Sequence, residues 1–237
     1  MKKFLKISLG ILLIFIIAGG ILAFWQRENI SALINGMRYN SEELATQLDD
    51  KRQEIKTKVE KYTKSPINDI SAEDEEKLFK GKITFEEISE KYNLPLDVMK
   101  EDGAKEENPD SNEDIAQAAD SKAMDKVIGD SVSKMYALKA KYVSKLGELE
   151  RAVVDEYSKL PKEKQNQSSK KDIIAKNINY VAELEKKCDK EVEELLKALD
   201  EKLKELNGDK DIIETLKDAY YSEKELKKSY YLSLYNN

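Results

Sequence analysis

The sequence predicts an all-α protein: an N-terminal transmembrane helix, then an antiparallel helical hairpin with a coiled-coil-like bundle character, then a third, C-terminal helix. Three observations carry that reading: two matched apolar stripes, a long uncharged run at the start, and a composition suited to solvated helices. The first stripe is Ile128, Val132, Met135, Leu138, Tyr142, Leu146, Leu149, Val153, Tyr157 and Leu160. The second is Ile174, Ile178, Val181, Leu184, Cys188, Val192, Leu195, Leu199, Leu203 and Leu206. Both advance in steps of 4, 3, 3, 4, 4, 3, 4, 4 and 3 residues, close to the helical period and far from the period of two that a strand shows. Stripes of equal length suit each other. Pro161 to Lys171 lies between them, with a polar run from Gln165 to Ser169, and reads as a short connection between antiparallel neighbours.

Composition supports long helices with one wet face. The chain of 237 residues is 40% hydrophobic and 37% charged, against about a quarter charged in ordinary globular domains. Only 9 Gly and 4 Pro interrupt it. The net charge of -6 is spread without a dense basic face, which excludes nucleic acid as the expected partner. There is no histidine and one cysteine, Cys188, so the commonest general base, the commonest metal ligand and any internal disulfide are missing.

Residues 1–28 form the anchor segment. Lys2, Lys3 and Lys6 precede an uncharged run from Ile7 to Trp25 that includes Leu12 and Phe15. As a helix its 19 residues extend about 28 Å, against a hydrocarbon core of about 30 Å. Trp25 stands where an interfacial aromatic belongs, and the leading lysines place the short amino terminus in the cytoplasm and the rest across the membrane. The alternative is a cleaved leader, because Ala18, Gly19 and Gly20 offer small residues for cleavage after Gly20.

Residues 29–64 read as a helical stalk, with Leu44, Leu48, Ile55, Val59 and Tyr62 on one stripe, Arg52 interrupting it, and Asn40 with Glu43 as a capping box. Residues 65–101 form a small helical module. Ser71 with Asp74 and Thr84 with Glu87 read as capping boxes, Gly81 ends the first helix, and Asn93-Leu94-Pro95 ends the second. The wording from Gly81 to Met99 is similar to the first two helices of helix-turn-helix domains. No basic recognition helix comes after it, since Asp97, Glu101 and Asp102 would face phosphate. Residues 102–113 are an acidic linker. Asp110, Asn112 and Asp114 within and beside it miss the calcium-loop pattern, because Ile115 and Ser121 occupy the positions of its glycine and glutamate.

Residues 114–237 hold the hairpin and the C-terminal helix, which Asp209 or Asp211 caps and whose inner side carries Ile212, Ile213, Leu216, Tyr220, Leu226, Tyr230 and Leu234. Asn207 and Gly208 close the hairpin's second helix. Candidate interaction residues are the tyrosines Tyr220, Tyr221, Tyr230, Tyr231 and Tyr235, and the tip lysines Lys162, Lys164, Lys170 and Lys171. Cys188 falls in the seam and is a candidate for a bridge across a homodimer.

Chemistry is not visible. Ser131 with Lys134 and Ser168 with Lys171 match the Ser-x-x-Lys pair of penicillin-recognising enzymes, but no more often than chance provides and without companion motifs. No phosphate loop, dinucleotide fingerprint or metalloprotease motif occurs. The expectation is a membrane-anchored scaffold or protein–protein interaction protein of the cell envelope with no catalytic residue, cofactor or metal. Its partners would be membrane lipid, through residues 7–25, and other envelope proteins. The alternative is an exported or tethered module that binds a ligand or an envelope polymer.

Overall fold

The computed structural model describes residues 39–99 and 116–233. Every regular element among these is helical, so the fold is all-α. In chain order the helices are α1 (Ser41–Val59), α2 (Ala72–Phe79), α3 (Phe85–Tyr92), α4 (Ala116–Ser158), α5 (Gln167–Glu205) and α6 (Asp211–Ser233), with 3-10 turns at Asp97–Met99 and Lys162–Lys164. The anchor segment and the acidic linker lie outside the described residues. Among the described residues, no helix is long and apolar enough to cross a membrane.

Local hydrogen bonding sets most helix ends. Asn40 Oδ1 accepts from the Glu43 amide at 2.9 Å while Glu43 accepts from the Asn40 amide at 3.0 Å, the reciprocal box that starts α1. Thr84 and Glu87 do the same for α3. Ser71 caps α2 by accepting from the Asp74 amide, but the second half of the expected box is absent because the Asp74 carboxylate is engaged elsewhere. Three helices end in a left-handed residue, Gly81 (φ 65°), Asn93 (φ 50°) and Asn207 (φ 51°). In each case the amide of the next residue reaches back to the carbonyl five residues earlier: Lys82 to Lys77, Leu94 to Ser89 and Gly208 to Leu203. Asn207, not Gly208, therefore takes the strained position at the end of α5.

The tip of the hairpin is shorter than Pro161 to Lys171, because α5 already starts at Gln167. Gln165 and Asn166 explain why. Gln165 Nε2 donates to the carbonyls of Ser158 and Leu160 at the end of α4, and Asn166 Oδ1 accepts from the amides of Ser168 and Ser169 at the start of α5.

The chain divides into two compact units, and the four longer helices each contribute to both. The first comprises residues up to Glu54, Lys145–Lys187 and Asp218 onward. Its α4 and α5 segments share a cluster of Val153, Tyr157 and Ile173, flanked by Leu149, Val154, Leu160 and Val181. Glu156 pairs there with Lys176 at 2.9 Å. Leu44 and Leu48 of α1 are buried, and so is Ala219 of α6. The predicted stripe departs from the structure in this unit at two places: Ile173, which the stripe passed over for its neighbour Ile174, is buried in the seam, and Leu146 is 37% exposed. Helical spacing marks a face but not how far the partner's side chains cover it, and Leu146 falls beyond that cover.

The second unit comprises Ile55–Ser144 and Cys188–Lys217. Here α4 and α5 run antiparallel: Lys141 pairs with Glu191, and a Cβ built on Gly208 would lie 3.3 Å from Met124, so 17 residues back from Lys141 match 17 forward from Glu191. Ile128, Val132 and Leu138 are buried on α4, and Val192, Leu196, Leu199 and Leu203 on α5. The stripe assigned Leu195 to this face, whereas its neighbour Leu196 is the buried one and Leu195 is half-buried. Within this unit Ile70, Leu78, Phe85, Ile88 and Leu94 form one core with Ala137 and Ala140 of α4. The two alanines let the small helices approach the α4 backbone closely. This is the packing role that the helix-turn-helix-like stretch serves.

Candidate interaction surfaces

Lys162 and Lys164 are exposed in the 3-10 turn at the tip. Lys170 is half-buried, with its Nζ 5.3 Å from the centre of the Tyr157 ring, so it belongs to the packing of the hairpin end. The side chain of Lys171 lies outside the described residues, as do those of Tyr231 and Tyr235. The four-lysine tip thus contains two exposed lysines and one that is engaged.

Tyr220 and Tyr221 on α6 meet edge to face, with ring centres 5.1 Å apart. Lys224 Nζ sits 5.5 Å from one ring and 5.3 Å from the other, and also 3.1 Å from Glu185 Oε1 on α5. Lys228 reaches the same oxygen. Burial pushes the Glu185 carboxyl up, but Lys228 and Lys224 outweigh it and hold the group below its usual range. Tyr230 is half-buried. Sequence reasoning found the tyrosines by their number and missed the charges between them, because Glu185 and Lys228 lie 43 residues apart.

In the second unit Asp74 is buried and gathers Lys91, the Tyr92 hydroxyl at 2.6 Å and Lys77 at 3.4 Å. Lys91 first, and Tyr92 after it, hold its carboxyl far below the usual carboxylate range. Asp125 of α4 accepts from the Lys64 amide, from the Thr63 hydroxyl at 2.8 Å and from the Ser65 hydroxyl at 3.3 Å. The Lys64 amide leads in holding that carboxyl low, with the two hydroxyls adding to it against the effect of burial. Beside it an open depression of about 490 Å³ is lined by Ser65, Lys122, Ala123, Asp125, Lys126 and Asp130. Asp125 in its lining already accepts from the loop at 63–65.

The chain matches no family model, no curated protein and no solved structure.

Ser131 Oγ donates to the Val127 carbonyl at 2.9 Å, and Lys134 Nζ lies 3.8 Å from Asp97, so this Ser-x-x-Lys pair is occupied within the fold. Cys188 is half-buried and forms no disulfide among the described residues. Among the described residues, no group of three or more His, Cys, Asp or Glu is arranged to hold a metal ion. Ile7, Leu12, Phe15 and Trp25 lie outside the described residues.

Proposed function

We propose that this is a single-pass, amino-terminally anchored protein whose extracytoplasmic helices serve as a scaffold for protein–protein contact in the cell envelope. The observation that carries the location is the uncharged run from Ile7 to Trp25 behind three lysines. The scaffold role is supported by the packing. Charged side chains on these helices pair with one another, as Asp200 does with Lys204 at 2.5 Å and Lys210 at 3.0 Å, and the strongest carboxylate sites, Asp74 and Asp125, bind the chain's own loops and helices. Groups committed in this way hold a shape.

The test is photo-cross-linking in intact cells from exposed positions such as Lys164 and Tyr180, with the captured protein identified by mass spectrometry. A reproducible envelope protein captured from these sites supports the reading, and capture of cytoplasmic proteins alone overturns it. The intact mass of the native chain separates the anchored form from the exported alternative, which would lack residues 1–20.

A further inference from the structure

α6 is held by two kinds of contact along its length. Up to Lys217 it belongs to the second unit, where Ile212 and Leu216 are buried aliphatic side chains. From Asp218 it belongs to the first unit, and its contacts there change in character. Glu223 Oε1 accepts from Arg52 Nε of α1 at 3.3 Å, with side chains only 15% and 11% exposed, and Lys227 Nζ lies 3.6 Å from the same oxygen. Lys224 and Lys228 converge on Glu185 of α5. Every residue from Tyr220 to Lys228 is half-buried, with Leu226 the one aliphatic residue among them, and only the small side chains of Ala219 and Ser229 on either side are buried. Arg52, which interrupts the apolar stripe of α1 in the sequence, meets a counter-charge on α6 at Glu223 and a more distant one at 3.9 Å on α1 itself, Asp49.

Burial of aliphatic side chains does not depend on charge screening, whereas ion pairs weaken as the Debye length shrinks, here more at Glu185, where the side chains are 19–34% exposed, than at the more deeply buried Arg52–Glu223 pair. We propose that Asp218–Ser233 is a salt-releasable strap. Rising ionic strength detaches it from Arg52 and Glu185 as one segment, uncovering the Tyr220–Tyr221 pair, while Asp211–Lys217 stays docked as its root. The strap is a low-stability segment next to a high-stability one on a single helix. It does not depend on where in the cell the protein resides.

Hydrogen–deuterium exchange on the full chain in detergent micelles tests this at about 0.01 M and about 1 M sodium chloride, between which the Debye length falls from ~30 to ~3 Å. The amides of 218–233 are expected to exchange at least about fivefold faster at high salt, a change of roughly 1 kcal/mol in opening free energy at 1.4 kcal/mol per tenfold, while those of 211–217 stay within a factor of two or so of their low-salt rate. The double variant Glu185→Gln, Glu223→Gln is expected to show the fast rate at low salt and no further acceleration. Equal rates for 218–233 at both salts overturn the strap, as does joint acceleration of 211–217. If the double variant fails to fold, the salt comparison on the native chain still decides.

Discussion

Lys141 of α4 is only 2% exposed, and its Nζ donates to both carboxylate oxygens of Glu191 on α5, at 3.0 and 2.8 Å. A cation this deep is tolerable because the bidentate partner and the Tyr142 ring, 5.4 Å away, replace its lost hydration. The pair also fixes the pairing of α4 with α5: a slip of one residue would leave an ammonium buried among apolar side chains.

Breaking that pair should cost more than deleting it. Glu191→Ala is expected to destabilise the protein by about 3 kcal/mol, the low end for removing one partner of a buried pair, because the Glu191 side chain keeps 22% of its surface in water. The double replacement Lys141→Met, Glu191→Leu should lie within about 1 kcal/mol of the native chain or above it. Urea midpoints at unchanged slope measure both. Equal losses in the two variants would remove the desolvation argument.

Gly129 lies inside α4, where alanine ordinarily gains about 1 kcal/mol over glycine. Here a Cβ would stand 2.6 Å from both Cβ and Oγ of Ser65. Gly129→Ala is therefore expected to lose about 1–3 kcal/mol by pushing the 63–65 loop off Asp125. Adding Ser65→Gly should recover most of it. A stabilising Gly129→Ala would show that the loop does not sit this close.

Asp74 sets a pH dependence. Its carboxyl titrates well below the unfolded value of about 3.9, so its contribution to stability is complete above that pH and declines as the pH falls through the folded value. In Asp74→Asn this acid-side decline should shrink, and Asp74→Ala should cost about 1–3 kcal/mol at neutral pH because Lys91 and Tyr92 lose their acceptor. Denaturant midpoints between pH 7 and pH 3 give the comparison. Parallel curves for native and Asn forms would contradict it.

Ser89 is 3% exposed, and its hydroxyl has no hydrogen-bond partner within the core of α2 and α3. Removing a buried, unsatisfied hydroxyl should leave the protein as stable as before or up to about 1 kcal/mol more so, and thermal denaturation of Ser89→Ala reads this directly. A clear loss would mean that the hydroxyl is satisfied, for instance by water.

These residues mark what the sequence discloses and what it withholds. Caps are legible because both partners lie within a few positions: Asn40 with Glu43, Thr84 with Glu87, and the left-handed Asn93 and Asn207 all answer local backbone needs. The seam is legible as a face, hence Val153, Leu199 and Leu203 are buried as their spacing implies. Its edges are not, because cover depends on the opposite helix, so Leu146 is exposed and Leu196 replaces Leu195. Charge pairing across the fold is least legible. Arg52 and Glu223 are 171 residues apart, and Thr63 and Asp125 are 62 apart, with no periodic pattern to join them. Asp74 shows both limits: its spacing from Ser71 marked a cap, while its carboxylate serves Lys91 and Tyr92.

The proposed membrane topology can be read from a single thiol. In a Cys188→Ser background, Lys164→Cys places the only cysteine on the exposed tip of the hairpin. Reaction of this variant with a membrane-impermeant maleimide on intact cells, with the protein retained in the carbonate-washed membrane pellet, is the expected result. Labelling only after lysis, or release of the protein from the membrane by carbonate, would contradict an anchored protein with its helices outside the cytoplasm.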